Sequence, residues 1–547
     1  MVADIVVKGN IFTSDPKALY AEAFAVKDGR FIYVGDADGV ETYIGEETRV
    51  ITPGRQTIFS GIGEGHAHVC ETTSQIFEVD IAAYKVSNIA GYQEEIRKFV
   101  EAHPDRKIIH GRGFLNGVFP NGMATKEYLD EISTDIALVM TSEDGHSMWC
   151  NSKALELCKL TKDTPDIKDG VIGRDADGTP NGAFRETAMS YLNPVKAKYS
   201  VEDYKEAILH YQKLALSYGI HNVFEPMSSG EQWQRKIQAY KELIEEDKLK
   251  VFTLVGSYIE PDEDWKEKFE KIKKLNETVG SERLSFQAVK MFVDGVVEGH
   301  TAWLKEEYAD APGDTCECLW KPDDLKELCA TTQKAGYVNH IHAIGDAANS
   351  LSLDAYQFAN DQTGVEDNRN TITHVQLISQ EDYERFARLH VIAAANPYWH
   401  YRQPFYYEEL EVRYLGRERA DNEYPMKSFL KAGAVLTEAS DWPVSVPCNP
   451  FRGLEYAVTR QPLGDAETLP LNPKERLTVE EMLQVMTING AYQVKKEKTT
   501  GSIEVGKDAD FVIVDRDLFT VDPHTLHETK VVGNYEKGKL IYAEDCK

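Results

Sequence analysis

Two histidines, His66 and His68, stand two residues apart in Gly65-His66-Ala67-His68, directly after an apolar run. On a strand, residues i and i+2 project to the same side, so this pair can offer two imidazoles to one metal ion. Paired histidines also occur in ordinary cores, so the pair gains its weight from residues much further along the chain. Lys290 sits inside Ala288-Val289-Lys290-Met291-Phe292-Val293. A lysine in so apolar a run is costly unless it is paired, neutral or modified. Carbamylation by carbon dioxide would make it an anionic ligand able to bridge two metals; a structural lysine snorkelling toward the end of its strand is the alternative. His342 follows Val338-Asn339-His340-Ile341, His374 closes Thr371-Ile372-Thr373, and Asp441 follows Leu436-Thr437-Glu438-Ala439-Ser440. Each falls at the C-terminal end of its apolar run. Together, these residues on several strands describe one converging metal site.

The elements that must position them can be read from the same stretches. Eight short apolar runs end in polar residues, at 57–61, 220–224, 251–255, 288–293, 338–341, 371–373, 391–395 and 434–436. Helical stretches such as 201–218, 232–246, 325–335 and 380–389 lie between them. Strand–helix alternation predicts an α/β fold with a parallel sheet. Eight such strands predict a (β/α)₈ TIM-like barrel, whose sites lie at the C-terminal face. A segment of about 69–194 does not fit the count. With strand-like runs at 107–110 and 136–141 and a helix at 152–157, it reads as a long insertion after strand 1, over that face. Both ends of the chain are β-rich, and Lys27-Asp28-Gly29-Arg30 between apolar runs is a hairpin signal. The predicted organisation is a small β-sandwich domain from residues 1–57 and 497–547, with the barrel at 58–496 between them.

The 547 residues carry a formal charge of −29. Such a chain repels phosphate backbones on average, which argues against a nucleic-acid partner. No apolar stretch is long enough for a membrane span, so no membrane partner is expected. The N-terminal residues read as a strand and not as a secretory signal. Eight scattered cysteines without a C-x-x-C pair do not make a disulfide framework, and a reducing, cytoplasmic location follows.

As a set, the motifs resemble those of the amidohydrolase superfamily, and most closely amidohydrolase family 3, which includes YtcJ-like proteins and N-substituted formamide deformylases. The residues carrying the resemblance are Gly65-His66-Ala67-His68, Asp144-Gly145-His146-Ser147 with Asn151-Ser152-Lys153-Ala154-Leu155, Lys290 with Asp294-Gly295, His342-Ala343-Ile344-Gly345-Asp346, His374, and Ala439-Ser440-Asp441-Trp442-Pro443-Val444. Gly501-Ser502-Ile503-Glu504-Val505-Gly506-Lys507-Asp508-Ala509-Asp510 matches the family's return into its small sheet domain. The resemblance implies two divalent metal ions, most often Zn²⁺. His66, His68 and Asp441 would hold the more buried ion, His342 and His374 the second, and carboxylated Lys290 would bridge. It also implies a homodimer. The sequence departs from the family at Ser60-Gly61-Ile62-Gly63-Glu64-Gly65, at Asn396-Pro397 after strand seven, and at His300 after Asp294-Gly295. These changes touch support and substrate positions, not ligands.

The resulting expectation is a hydrolase of a small-molecule amide (N-acyl, N-formyl or cyclic), with Asp441 as proton carrier. His146 either enters the site to orient the carbonyl or serves as a helix-entry residue near Asn151. Asn396, Asp294, His300, Trp399 and Trp442 are candidate substrate residues, and Tyr398 is a further candidate pocket aromatic. Asp346 reads as support for the ligands and His340 as a packed core histidine. Glu225 either faces the pocket or forms a structural salt bridge. A deaminase or an esterase/lactonase on the same fold is the alternative chemistry. A non-catalytic scaffold is disfavoured because all six ligand positions are present.

Overall fold

The computed structural model describes residues 1–544, except 83–85, 87, 143–146, 169, 228–231 and 405. The alternation of apolar runs and helices becomes eight parallel strands around one barrel. They are β1 (Ile62–Glu64), β2 (Ile220–Met227), β3 (Phe252–Tyr258), β4 (Leu284–Phe292), β5 (Val338–Ala343), β6 (Thr371–His374), β7 (Ile392–Ala395) and β8 (Val435–Glu438), each paired with the next in chain order. Every residue of β1, β2, β5, β6 and β7 is buried. This burial on both faces is why these strands read as continuous apolar runs and not as alternating ones. The helices between them carry legible signals. Pro322–Lys334 begins with proline, has Asp323 and Asp324 in its first turn and ends on Lys334, which matches the polarity of the helix dipole.

The ring closes between β8 and β1. The Gly65 N–H donates to the Glu438 carbonyl at 2.8 Å, and Ala67 and Trp442 form a parallel bridge beyond the strand ends. A Cβ on Gly65 would come within 2.5 Å of the Glu438 oxygen. Only glycine allows the two backbones to meet here.

One strand differs from its predicted place. Thr57–Ser60 belongs to the terminal sheet, where it pairs parallel with Ile5–Phe12 and antiparallel with Phe511–Val514. The chain then turns at Gly61 into β1. Residues 57–64 are buried throughout, on both sides of the change of sheet. The terminal sheet unites five strands from the first sixty residues with Phe511–Val514, Val531–Glu536 and Lys539–Tyr542. Its period-two pattern is plain. Val7, Phe24 and Val26 pack on one side with Phe511 and Ile513, while Val6, Ala23 and Ala25 pack on the other with Val40. At the hairpin, Asp28 and Gly29 both take positive φ, 50° and 77°, as a tight two-residue turn requires.

Residues 70–207 form a second compact unit. Its six-stranded sheet runs in the order Gly170–Arg174, Pro180–Glu186, Ser147–Cys150, Ala137–Ser142, Ile108–Phe114, Glu78–Asp80. Tyr92, Phe114, Phe119 and Trp149 fill one of its cores. Helix Ser152–Leu157 starts on Asn151, whose side chain accepts from the Ala154 N–H. None of the seven cysteines among the described residues lies in a disulfide. No helix among the described residues is long and apolar enough to cross a membrane.

Candidate metal centre

Barrel closure brings the first candidate ligands together. His66 and His68 follow β1, and Asp441 follows β8. The ligand atoms of the three lie within 4.8 Å of one another. Nε2 of His66 and of His68 stand 3.4 and 3.3 Å from Asp441 Oδ1. The backbone holds them in the same place: Asp441 N–H donates to the His66 carbonyl at 2.8 Å and His68 N–H to the Trp442 carbonyl at 2.7 Å. Glu64 tightens the junction from beneath, accepting from His66 N–H and Ser440 N–H at 2.9 Å each. Burial pushes the Glu64 carboxyl up to about 7.

The next candidate ligands come from β5 and β6. The His342 and His374 rings are 4.5 Å apart, and His374 is 5.2 Å from His66. Each ring has one nitrogen already engaged. His342 Nε2 meets the Gly295 carbonyl at 3.0 Å, which leaves Nδ1 for a metal. His374 Nδ1 meets Asn396 Oδ1 at 2.9 Å, and the Asn396 amide donates to the Ala439 carbonyl at 3.0 Å. That second bond orients the carboxamide and leaves His374 Nε2 free. His374 and Asp441 both have positive φ, 79° and 54°. Such backbone costs on the order of 1–3 kcal/mol per residue and clusters where function holds it in place.

Lys290, on β4, is 1% exposed, and its Nζ has no hydrogen-bond partner. Burial depresses its amine to about 7, against a raising influence from Asp441. Burial, followed by the Lys290 charge, drives His342 down to about 3 and His66 and His340 well below the ordinary imidazole value. His374 falls likewise through burial, then His342, then Lys290. The Lys290 charge therefore adds to burial in lowering all four histidines. Three wholly buried atoms, His66 Nε2, Asp441 Oδ1 and Lys290 Nζ, lack hydrogen-bond partners within the protein. Buried polar atoms left so are costly unless something else meets them. The donor set of imidazoles, a carboxylate and a modifiable amine fits divalent metal ions.

Several residues hold other places than their sequence positions suggested. Asp294 is completely buried, and its carboxylate accepts from the N–H groups of Trp303, Ile344 and Gly345 at 2.8–3.0 Å. It ties the loop after β4 to the end of β5. Asn396, also completely buried, serves His374. Trp442 is 3% exposed and contributes its carbonyl to the seam. The His300 ring stacks on Tyr308 at 4.4 Å, meets Tyr414 edge-on and faces Asp310 at 3.3 Å. Asp346 starts helix Asp346–Thr363 and accepts from Lys305 N–H, so it supports a loop and not His342. Glu225 accepts from the Tyr240 hydroxyl, and Tyr398 is buried beside Glu438. Trp399 remains at the site, stacked on His374 at 5.4 Å with its indole N–H on Ser445. His146 lies outside the described residues. The sequence reading missed two contacts, Glu64 beneath His66 and His340 against His66. The acid two residues before His66 was the available signal for the first.

A model of the amidohydrolase family matches residues 57–542. Protein LONG AFTER FAR-RED 3 of Arabidopsis thaliana is 29% identical over 99% of this chain and 92% of its own length. N-substituted formamide deformylase of Arthrobacter pascens is 25% identical over 98% of both. Among solved structures, an uncharacterized metal-dependent hydrolase of Pyrococcus furiosus superposes with a TM-score of 0.74 at 26% identity. The match covers 94% of this chain and all of that one. The resemblance read from the motifs and the barrel architecture are both borne out. The matches support a hydrolase that depends on metal.

Proposed function

Because the chain belongs to the amidohydrolase family, we propose that it is a binuclear metal-dependent hydrolase that cleaves a carbon–nitrogen amide bond of a small molecule. N-acyl, N-formyl and cyclic amides are the substrate classes. The observation that carries the reading is the buried amine of Lys290, without a hydrogen-bond partner and electrostatically coupled to His66, His342, His374 and Asp441. A single-ion deaminase would have no need of that lysine. Carbon dioxide adds to the neutral amine and a proton leaves, which turns an orphaned donor into an anionic ligand. The formamide deformylase among the relatives supports the choice of bond.

His66, His68 and Asp441 would hold one ion, His342 and His374 the other, with carboxylated Lys290 between; Zn²⁺ suits this donor set. Bound divalent ions supply a lowered pKa for water and polarise a carbonyl. The remaining chemistry belongs to the chain. Asp441 takes the proton of the attacking water on its carboxylate and returns it to the leaving nitrogen. The exposed part of Trp399 forms a flat apolar wall beside His374.

The test is metal analysis joined to a substrate panel. Purified protein should hold divalent metal and release amine from formamides, N-acyl amines or cyclic amides. Metal content well below one ion per chain, with no gain on reconstitution, would count against the centre. Faster release of ammonia from amino-heterocycles, or of acid from esters, would redirect the chemistry.

A further inference from the structure

Three carboxyls converge beside the candidate centre. Glu298 lies on the short turn Val297–Gly299 after β4, and Glu411 and Glu423 lie between β7 and β8. All three therefore belong to the C-terminal face of the barrel, where barrel sites form. Two links join them to the centre. The Gln376 amide, two residues beyond His374, donates to Glu423 Oε1. The Trp399 ring stacks on His374 at 5.4 Å and meets Tyr424 edge-on at 6.5 Å, and the Tyr424 hydroxyl donates to Glu411 at 3.4 Å.

Glu423 is completely buried and Glu411 is 3% exposed. The second oxygen of Glu423, Oε2, is buried without a hydrogen-bond partner, and the carboxyl faces that of Glu411. Burial pushes Glu411 up to about 8 and raises Glu423, with the charge of Glu298 adding to both. Glu298 differs from the pair. Burial raises its carboxyl too, yet the residue is exposed. Dense surroundings joined to solvent access describe the wall of a recess. The hydroxyl of the half-buried Tyr406 bonds to Glu298 and lies within electrostatic reach of Glu411 and Glu423.

The arginines of this region are engaged elsewhere. Arg402 pairs with Asp421 at 2.8 Å, Arg417 with Glu408 at 2.6 Å, and Arg413 faces Asp310 at 3.4 Å. Arg460 directs its donors to the carbonyls of Leu471, Tyr424 and Glu423 at 2.9–3.2 Å. Among the described residues, none forms a salt bridge with Glu298, Glu411 or Glu423. Carboxyls so crowded repel one another unless protons or a cation intervene.

We propose that this recess is a subsite for a protonated amino group, and that the substrate is an amide carrying such a group at the end remote from the cleaved bond. The second part rests on the amide reading; the first does not. Glu298 and Tyr406 meet the ammonium from the open side, a carboxylate and an aromatic ring that both suit an alkylammonium ion. Trp399 flanks the chain that leads to it from the centre. Without a cation, Glu411 and Glu423 hold protons; an entering ammonium takes the place of one, which leaves to water.

The experiment compares the N-formyl and N-acetyl derivatives of straight-chain diaminobutane with those of pentylamine, in which a methyl replaces the ammonium. kcat/KM is measured on the full, metal-loaded chain. The ammonium member should be favoured about 10–100-fold, the range for a hydrogen bond to a charged group. Glu298→Gln should cut that ratio by about tenfold, through KM. Equal use of both members by the wild type, or a loss in Glu298→Gln that falls on both alike, overturns the proposal. Binding of pentylammonium and of pentanol, followed by ligand-detected NMR, needs no turnover. Pentylammonium should bind more tightly than pentanol, and less tightly to Glu298→Gln than to wild type. If no amide is cleaved, the amide reading fails and this titration decides the subsite; pentylammonium that binds no better than pentanol overturns it. If Glu298→Gln fails to fold, the wild-type preferences decide in the same way.

Discussion

His66 and Asp441 meet twice. Nε2 of the imidazole stands 3.4 Å from Oδ1 of the carboxylate, and the Asp441 amide donates to the His66 carbonyl at 2.8 Å. The residues are 375 positions apart, and the second contact is part of the seam that closes the barrel. Ligand spacing is therefore set by backbone pairing between the first and last strands. Any change that opens the seam also opens the site.

Asp441→Asn separates the two duties proposed for this residue. Its φ of 54° lies in the left-handed region, which asparagine tolerates well, so the backbone should hold. The variant should keep much of its metal and lose turnover by roughly 10²–10⁴-fold, the range for a lost acid–base group. Metal content and kcat measured on the same preparation decide the matter. Full activity at matched metal would remove the proton-carrier role.

Lys290→Met keeps the volume and removes the amine. Metal content should drop and activity should fall at least about 100-fold, the upper end of what even an outer partner costs. Wild-type metal loading should rise when bicarbonate is added to carbon-dioxide-depleted buffer, and the variant should not respond. Equal loading of the two proteins would show that the lysine is structural.

Asn396→Leu leaves the His374 Nδ1–H without its acceptor. Metal affinity should fall about 10–100-fold. The buried Ala439 carbonyl also loses its donor, so a loss of stability of about 1–3 kcal/mol is expected. Chelator titration and urea melts separate the two effects.

A pair of buried carboxyls, Glu411 and Glu423, gives a pH dependence of opposite sign to that of ordinary surface acids. Burial pushes both above their ordinary value of 4.5, and for Glu423 the neighbouring Glu411 adds to the shift. Above pH 4.5 the folded chain keeps protons that the unfolded chain has released. Stability should therefore decline as pH rises from that value toward neutrality, by at most about 1.4 kcal/mol per unit for each retained proton. Glu411→Gln should flatten the decline. Urea melts between pH 5 and 8 that leave the slope unchanged would assign it elsewhere.

Gly65→Ala probes the seam. The added methyl meets the Glu438 carbonyl at 2.5 Å, and backbone on both sides must shift. Overpacking of this kind costs about 1–3 kcal/mol. Thermal melts should show that loss together with weaker metal binding. Loss of stability with unaltered binding would break the link between seam and site.

Most of the barrel was legible because its strands are short, doubly buried and separated by amphipathic helices. Seven of the eight runs fall within a few residues of β2–β8. The exception, 57–61, shows the limit. A run that passes from one sheet into another keeps one hydropathy pattern, and the switch at Gly61 is decided by which distant strand offers its edge. The ligand positions were legible for a similar reason. A histidine, lysine or aspartate in an apolar run, or closing one, is chemically out of place. Asp294 and Asn396 look equally out of place in the sequence. Their roles as loop tie and histidine support depend on amide groups and a ring elsewhere in the chain.

The sequence by itself determined the class of chemistry: two spaced histidines, a lysine in a strand, and a histidine or aspartate at three further strand ends, in an order that matches one family. It determined the barrel, because strand periodicity and burial are local properties of short segments. Tertiary structure alone decided which nitrogen of each imidazole is free and that His340 and Glu64 stand behind His66. It also decided that the closing seam sets the distance from His66 to Asp441. These are contacts between residues up to several hundred positions apart. A hydrogen bond has direction and a range of about 3 Å, and no local pattern of hydropathy encodes it.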